Sequence, residues 1–399
     1  MVATPIVYDP YDYAIDANPH PIWKRLREEA PVYYNEQYDF YALSRFEDVL
    51  AAHLDPATYS SAHSTVLEMM TDDPDPFMAT MMIFMDPPDH THYRKLVSRA
   101  FTPRRMSELE PRIRSLSAGF LDEFAGKASE FDFVADFGAR LPVMVISALL
   151  GAPEEDEAQL REWSDATLHI EPGEIMGENT QGVFTALHEY WQAHIDDRRR
   201  QPRDDILSEL MTAELTDEDG TSRYLTDAEI HGFMGLISGA GNETVARFLG
   251  WSAIGLEQFT SERDKLVANP ALLPNAVEEI LRWEAPSAIQ GRWVTKRVQV
   301  RDTVFEPGTK VALLTGSADR DERVFPDPDR IIVERDLSRH VAFGYGIHFC
   351  LGAALARLEG RIALEEALKR FPAWEVDHER CEMVHTSTVR GYAKVPIRV

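Results

Sequence analysis

Phe343-Gly344-Tyr345-Gly346-Ile347-His348-Phe349-Cys350-Leu351-Gly352 runs without a break into a helix-like stretch, Ala353 to Arg370. The cysteine therefore sits where a loop turns into a helix. At that place the unpaired N–H groups and the helix dipole favour a thiolate over a thiol and lower the pKa of the sulfur, which suits a metal ligand or a nucleophile. Gly344 and Gly346 let the loop backbone approach a flat ligand closely, with N–H groups directed at the sulfur to tune its basicity. Other readings compete. The spacing of Gly344, Gly346 and Gly352 does not fit the GxGxxG of a dinucleotide loop. Zinc needs more sulfur or imidazole than His348 and Cys350 supply. A nucleophilic cysteine with His348 as its base stays open, and so does an inert buried thiol, the default for a lone cysteine.

Working outward, the chain has 399 residues, 44% hydrophobic and 27% charged, the balance of a globular protein with a substantial core. Its 41 basic and 67 acidic residues leave a net charge of −26, which disfavours a general nucleic-acid or anionic-membrane binder. The start, MVATPIVYDPYDYAID, reads as neither a secretory signal nor an anchor. The longest apolar run, Leu141 to Leu150, is too short to cross a bilayer and contains Pro142. A cytoplasmic protein is expected, with its two cysteines, Cys350 and Cys381, as free thiols.

Without repeats, low-complexity tracts or a Gly/Ser linker, residues 1–399 read as one domain. Helical spacing dominates over 90 to 126, 136 to 169, 182 to 213, 225 to 257, 262 to 283 and 350 to 370. The fold class is mainly α with a smaller β region. Alternation in Arg292 to Val300 and Lys310 to Leu314, joined through Glu306-Pro307-Gly308, predicts a small sheet, with Val395 to Val399 as a further strand of it. Thr226-Asp-Ala-Glu229 forms a capping box for one long helix. Its middle, from Ile237 to Val245, carries two glycines that each cost about 1 kcal/mol relative to alanine. Either another helix packs closely there, or the helix opens into a groove where a ligand meets the backbone.

The stretch Phe343 to Arg357, FGYGIHFCLGAALAR, resembles the haem-binding signature of the cytochromes P-450 in their bacterial soluble form. That resemblance implies a P-450 fold, haem b as cofactor and Cys350 as the axial metal ligand, with Phe343, Gly344, His348 and Gly352 around the haem. Further motifs follow in the family's order from about residue 5 to the end. Glu279 and Arg282, three apart on a predicted helix, are similar to the family's E-x-x-R pair, although alone they would read as a surface ion pair. Phe325-Pro-Asp-Pro-Asp-Arg330 resembles its meander, which implies that Arg330 joins that pair in a buried structural network. Here Ile331 replaces an aromatic residue and Asp319 an asparagine.

Ala240-Gly241-Asn242-Glu243-Thr244 resembles the family's oxygen-binding groove, and the resemblance makes Glu243 and Thr244 the catalytic acid and alcohol that relay protons during O2 activation. His90 and Arg94, together with Arg292 and His348, match contacts to the haem propionates, whose carboxylates need charge-assisted donors. Arg99, Arg104, Arg105, Arg112 and Arg114 read as a dock for an acidic ferredoxin or as a solvated helix face. The loop around Met69, Met70, Phe77, Met78, Met81, Met82, Phe84 and Met85 reads as the roof of a distal pocket. The expected substrate pocket comprises Met81, Met82, Phe84, Ile237, Ala240, Ile289 and Val389, with Glu171 to Asn179 linking two lid helices.

The implied function is a haem-thiolate monooxygenase that hydroxylates or epoxidises a medium-sized lipophilic molecule such as a terpenoid, fatty acid, steroid or polyketide. It would use O2 and electrons from an iron-sulfur ferredoxin and its reductase. The alternatives are a non-catalytic haem-based sensor of a lipophilic ligand and a peroxide-driven peroxygenase.

Overall fold

The computed structural model describes residues 5–76, 78–98, 101–156, 158–160, 162–163, 178–216, 220–337, 339–386 and 388–399. Helices supply most of it, as the 3.6-residue periodicity predicts. At the centre lies the long helix Asp227–Gln258, whose capping box is present: the Thr226 hydroxyl accepts from the Glu229 N–H while the Glu229 carboxylate reaches back. Residues on every face of its second half are buried, from Val245 to Leu256, so it is a core helix surrounded by others. The cysteine helix Ala353–Arg370 packs against it closely: a Cβ at Gly360 would lie 2.7 Å from the Phe248 ring.

Several expected helices are divided. The stretch from 90 onward forms Asp89–Val97, Pro103–Glu108 and Glu110–Asp122. Proline opens the second of these and is the second residue of the third, positions whose N–H would lack a helical partner anyway. The stretch 182 to 213 splits into Glu178–Arg200 and Ile206–Thr212, the latter capped by the Asp205 side chain. In 262 to 283, Asn269-Pro270 separates Thr260–Ala268 from Leu273–Trp283. The π-helical Phe133–Gly138 and the helix Arg140–Leu150 together make an 18-residue stretch long and apolar enough to cross a membrane, longer than the run read from sequence. Of it, 67% is buried against the rest of the protein, so it serves as core.

The sheet has five strands in the order Val32–Asn35, Phe40–Leu43, Lys310–Leu313, Gln290–Val294, Tyr59–Ser60. Phe40–Leu43 runs parallel to Lys310–Leu313 and the other neighbours are antiparallel. The expected strand Arg292 to Val300 breaks in two, because Val298–Val300 leaves this sheet to pair with Thr303–Phe305. Val395 to Val399 does not join it either. Pro396–Arg398 is the middle strand of a separate three-stranded sheet, between Glu375–Val376 and Glu130–Asp132. Alternation predicts a strand, but the partner is a tertiary choice.

Candidate functional site

The Cys350 loop is built by short-range hydrogen bonds. Gly344 N–H donates to the Val341 carbonyl at 2.8 Å, and Cys350 N–H donates to the Phe343 carbonyl at 2.9 Å. Both glycines have left-handed φ, 66° and 69°, as a turn of this kind requires. Gly346 has a second reason: a Cβ there would sit 2.5 Å from the His53 carbonyl oxygen, so the close approach is to the helix Phe46–Leu54 rather than to a ligand.

The sulfur faces the N-terminus of the cysteine helix. Burial pushes the Cys350 thiol up, against the lowering by the N–H groups of Gly352 and Ala353 and by Arg94 and Arg357. Desolvation thus outweighs the lowering expected at a helix N-terminus, and a bound cation would favour the thiolate. Arg357 is fixed beside it. Its guanidinium lies 4.6 Å from the Phe343 ring centroid and 6.0 Å from that of Phe349, and it donates to Glu278 at 2.6 and 2.9 Å.

Next to this loop, cationic and imidazole groups gather. His90 is 1% exposed and Arg292 4%, and the rings of His90 and His348 lie 4.3 Å apart between centroids. Burial holds all three down: His90 at about 4 with repulsion from Arg94, His348 at about 2 with repulsion from Arg292 and His90, and Arg292 at about 10 against the attraction of Asp86. Among the described residues, no hydrogen-bond partner reaches either ring nitrogen of His90, or Nε2 of His348. Buried donors are normally satisfied, so this cluster fits a ligand that brings its own carboxylates. A metal porphyrin meets both demands: its two propionates for the cluster and its metal for the sulfur. No group of three or more His, Cys, Asp or Glu side chains among the described residues offers an alternative metal site.

On the long helix, Glu243 is 6% exposed and its Oε1 forms a long ion pair with Arg247. Burial pushes it up to about 7, although Arg247 lies 3.7 Å away. The Thr244 hydroxyl donates to the Ala240 carbonyl at 2.9 Å. Gly241 answers to close packing, since a Cβ there would lie 2.8 Å from Ile146 Cδ1, whereas open space adjoins Gly239. The helix is unbroken through this turn, so the expected opening is not a gap in its hydrogen bonding.

Residues 39–391 match the family described as Cytochrome P450. The chain belongs to the cytochrome P450 family. It is 40% identical over 396 residues to cytochrome P450 123 of Mycobacterium bovis, covering 99% of this chain and 97% of that one. It is 36% identical over 387 residues to the vitamin D(3) 25-hydroxylase of Pseudonocardia autotrophica, covering 95% and 93%. The structure of the bacillaene polyketide synthase cytochrome P450 PksS of Bacillus subtilis 168 superposes with a TM-score of 0.89 at 32% identity, covering 98% of this chain and 99% of that one. The protein is thus a P450 monooxygenase, an oxidoreductase whose cofactor is iron protoporphyrin IX.

Within this P450, Glu279 and Arg282 are fully buried and joined by two hydrogen bonds, 2.7 and 3.0 Å. The third member expected from sequence is wrong. Arg330 is exposed and contributes only its carbonyl, which accepts from Arg282 at 3.0 Å. Arg335, five residues on, places its guanidinium against Glu279 at 3.0 and 3.1 Å. The meander curls so that the Pro328 and Arg330 carbonyls face Arg282 while the Arg330 side chain is exposed. Ile331, in the aromatic position, is buried with its Cδ1 close to Gly255.

Asp319 occupies the usual asparagine position. It is fully buried, its Oδ1 accepts from Val341 N–H at 2.7 Å, and burial pushes it up to about 6 from an unfolded value near 3.8. Below the unfolded value both states are protonated and the group is neutral to stability. As pH rises through the window from 3.8 to about 6, the unfolded chain releases its proton first and stability falls. Asp319→Asn is therefore expected to gain about 1–3 kcal/mol at pH 8 and nothing near pH 3.5, read by thermal melts at both values.

The expected pocket residues divide into groups. Met82 and Ile237 belong to the main core, and Met81 reaches the long helix at Gly235, as a roof over it would. Phe84 closes the 3-10 turn Met82–Phe84, Met70 fills the space beside Gly291, and Ala240 lies on the helix face described above. Ile289 and Val389 line a separate cleft of about 20 Å³ together with Tyr8, Trp23 and Thr386, where the N-terminal segment packs. Phe77 and Arg99 lie outside the described residues, as does the linker from Glu171 to residue 177. In the arginine run, Arg105 pairs with Glu209 and Arg114 with Glu110, Glu365 and Glu366, while Arg104 stays exposed beside Glu108.

Sequence reasoning missed Arg335 and His53. Neither stands in a motif; both are found only from what the fold places beside Glu279 and beside Arg292.

Proposed function

We propose that this P450 hydroxylates or epoxidises a medium-sized lipophilic molecule of the terpenoid, fatty-acid, steroid or polyketide kind, drawing electrons from an iron-sulfur ferredoxin and its reductase in the cytoplasm. Residues 1–399 act as one haem-carrying unit, in which Cys350 would hold the haem iron. Haem bound there supplies O2 activation and transfer of one oxygen atom to an unactivated C–H bond. The chain's own residues do the rest. His90, Arg94, Arg292 and His348 anchor the propionates. Arg357, stacked on Phe343 and tied to Glu278, holds a positive charge near the sulfur. Met81, Met82 and Phe84 form an adaptable apolar wall that excludes water from the reacting carbon.

Glu243 carries the reading furthest. A buried carboxyl raised to about 7 in spite of a long ion pair with Arg247, and followed directly by a hydroxyl, is a costly arrangement unless it moves protons. Thr244 now donates to Ala240, and a rotation about its Cα–Cβ bond frees it to pass a proton into the site. Thr244→Ala is expected to keep NADH consumption within about threefold of wild type while product falls roughly tenfold and hydrogen peroxide takes its place. Peroxide-driven turnover unchanged by that substitution, with no NADH-driven product, would favour the peroxygenase. A ligand that binds without any turnover would favour the sensor.

For the substrate class, two relatives are named as a vitamin D(3) 25-hydroxylase and as a cytochrome P450 of bacillaene polyketide synthesis, which supports the steroid and polyketide kinds. Titration with terpenoids, steroids, fatty acids and macrolides is expected to displace iron-bound water, seen as a Soret shift, for apolar compounds carrying one polar group. Shifts confined to small polar ligands would contradict the assignment.

A further inference from the structure

We infer that His53 is an additional haem-binding residue in this P450, donating an N–H to a propionate alongside Arg292 and His348. His53 lies in the last turn of the helix Phe46–Leu54, outside every motif that points to the haem. Three observations place it at the propionate edge. Its backbone carbonyl abuts Gly346 in the cysteine loop, where a Cβ would lie 2.5 Å from the oxygen. Its ring Cε1 lies 3.8 Å from the point where a Cβ on Gly344 would stand, and Gln290 Oε1 lies 3.9 Å from the same point, two residues before Arg292. The Arg292 charge acts on its ring, and His348 in turn feels the charge of His53.

The side chain is 4% exposed, yet among the described residues neither ring nitrogen has a hydrogen-bond partner. A histidine that merely fills core space is ordinarily satisfied by a carbonyl or hydroxyl, because leaving both nitrogens dry costs free energy with no return. Among the described residues His90 likewise lacks partners on both ring nitrogens and His348 on Nε2, and His348 feels the charge of both His90 and His53. A carboxylate placed there accepts one N–H from each ring, and a neutral imidazole suffices, since either ring nitrogen can carry the donated proton. Such a donor also offsets the carboxylate's negative charge, which stabilises the ferrous over the ferric state.

The test uses holoenzyme of wild type, His53→Leu and His53→Gln, measured by the rate of haem transfer to excess apomyoglobin and by the midpoint potential without substrate. His53→Leu is expected to lose haem about tenfold faster or more, the effect of one charge-assisted hydrogen bond, and to shift to a more negative potential. His53→Gln, which keeps an N–H, is expected to stay within about twofold of wild type. Wild-type haem loss and potential in His53→Leu would overturn the proposal. So would equal loss in both variants with unchanged potential, since that pattern marks a packing role. Should His53→Leu yield no holoprotein, the propionate bending bands in the resonance Raman spectra of wild type and His53→Gln decide: a shifted band supports the contact, and identical bands overturn it.

Discussion

Cys350→Ser is expected to abolish monooxygenase turnover, lowering the rate by roughly a thousandfold or more, while leaving the polypeptide folded. A thousandfold corresponds to about 4 kcal/mol of lost transition-state stabilisation. Cys350 would hold the haem iron, and a thiolate there would supply electron density that a serine oxygen does not. The fold should survive because the loop rests on backbone bonds, from Cys350 N–H to the Phe343 carbonyl and from Gly344 N–H to the Val341 carbonyl, which the substitution leaves untouched. Removing the thiol also removes a buried group whose pKa burial has pushed up. NADH-driven product formation and a melting curve on the same preparation check both halves. Turnover within tenfold of wild type would exclude Cys350 as the ligand.

Glu279→Ala acts through the fold instead, and a loss of about 3–5 kcal/mol is expected, the usual result of stranding buried charge. Glu279 accepts from Arg282 at 2.7 and 3.0 Å, from Arg335 at 3.0 and 3.1 Å and from the Ile332 N–H at 2.9 Å. Its removal leaves two guanidinium groups facing each other with no anion between them. Against a total stability of about 5–15 kcal/mol, that is enough to lower the yield of holoprotein sharply. Urea unfolding of a companion pair locates the network: Arg335→Ala is expected to be costly in the same way, while Arg330→Ala stays within about 0.5 kcal/mol of wild type. The reverse order would restore Arg330 to the network.

That pair also marks where the sequence stops being informative. The Cys350 loop and the long helix were legible because their signals are local: glycines at turn positions, a capping box at Thr226 and Glu229, and an apolar pattern uninterrupted by proline. Helix breaks near Pro103, Pro111 and Pro270 were not, since proline at the start of a helix is tolerated and leaves the apolar periodicity almost continuous across the joint. Arg335 and His53 act through neighbours 50 or more positions away, such as Glu279 and Arg292, and no spacing rule reaches that far. Pro396–Arg398 reads as a strand in either sheet, and only the packing of Glu130–Asp132 beside it decides which. Cys350 shows the converse: the local rule for a helix N-terminus gives a lowered pKa, but burial acts over the whole surrounding fold and wins.

The ligation itself is read most directly from the absorption spectrum of the reduced holoprotein under carbon monoxide. The wild type is expected to show the strongly red-shifted Soret band of a thiolate-bound haem, absent from Cys350→Ser. A wild-type spectrum with the shorter-wavelength band of histidine or oxygen ligation, or a red-shifted band that persists in Cys350→Ser, would contradict that ligation.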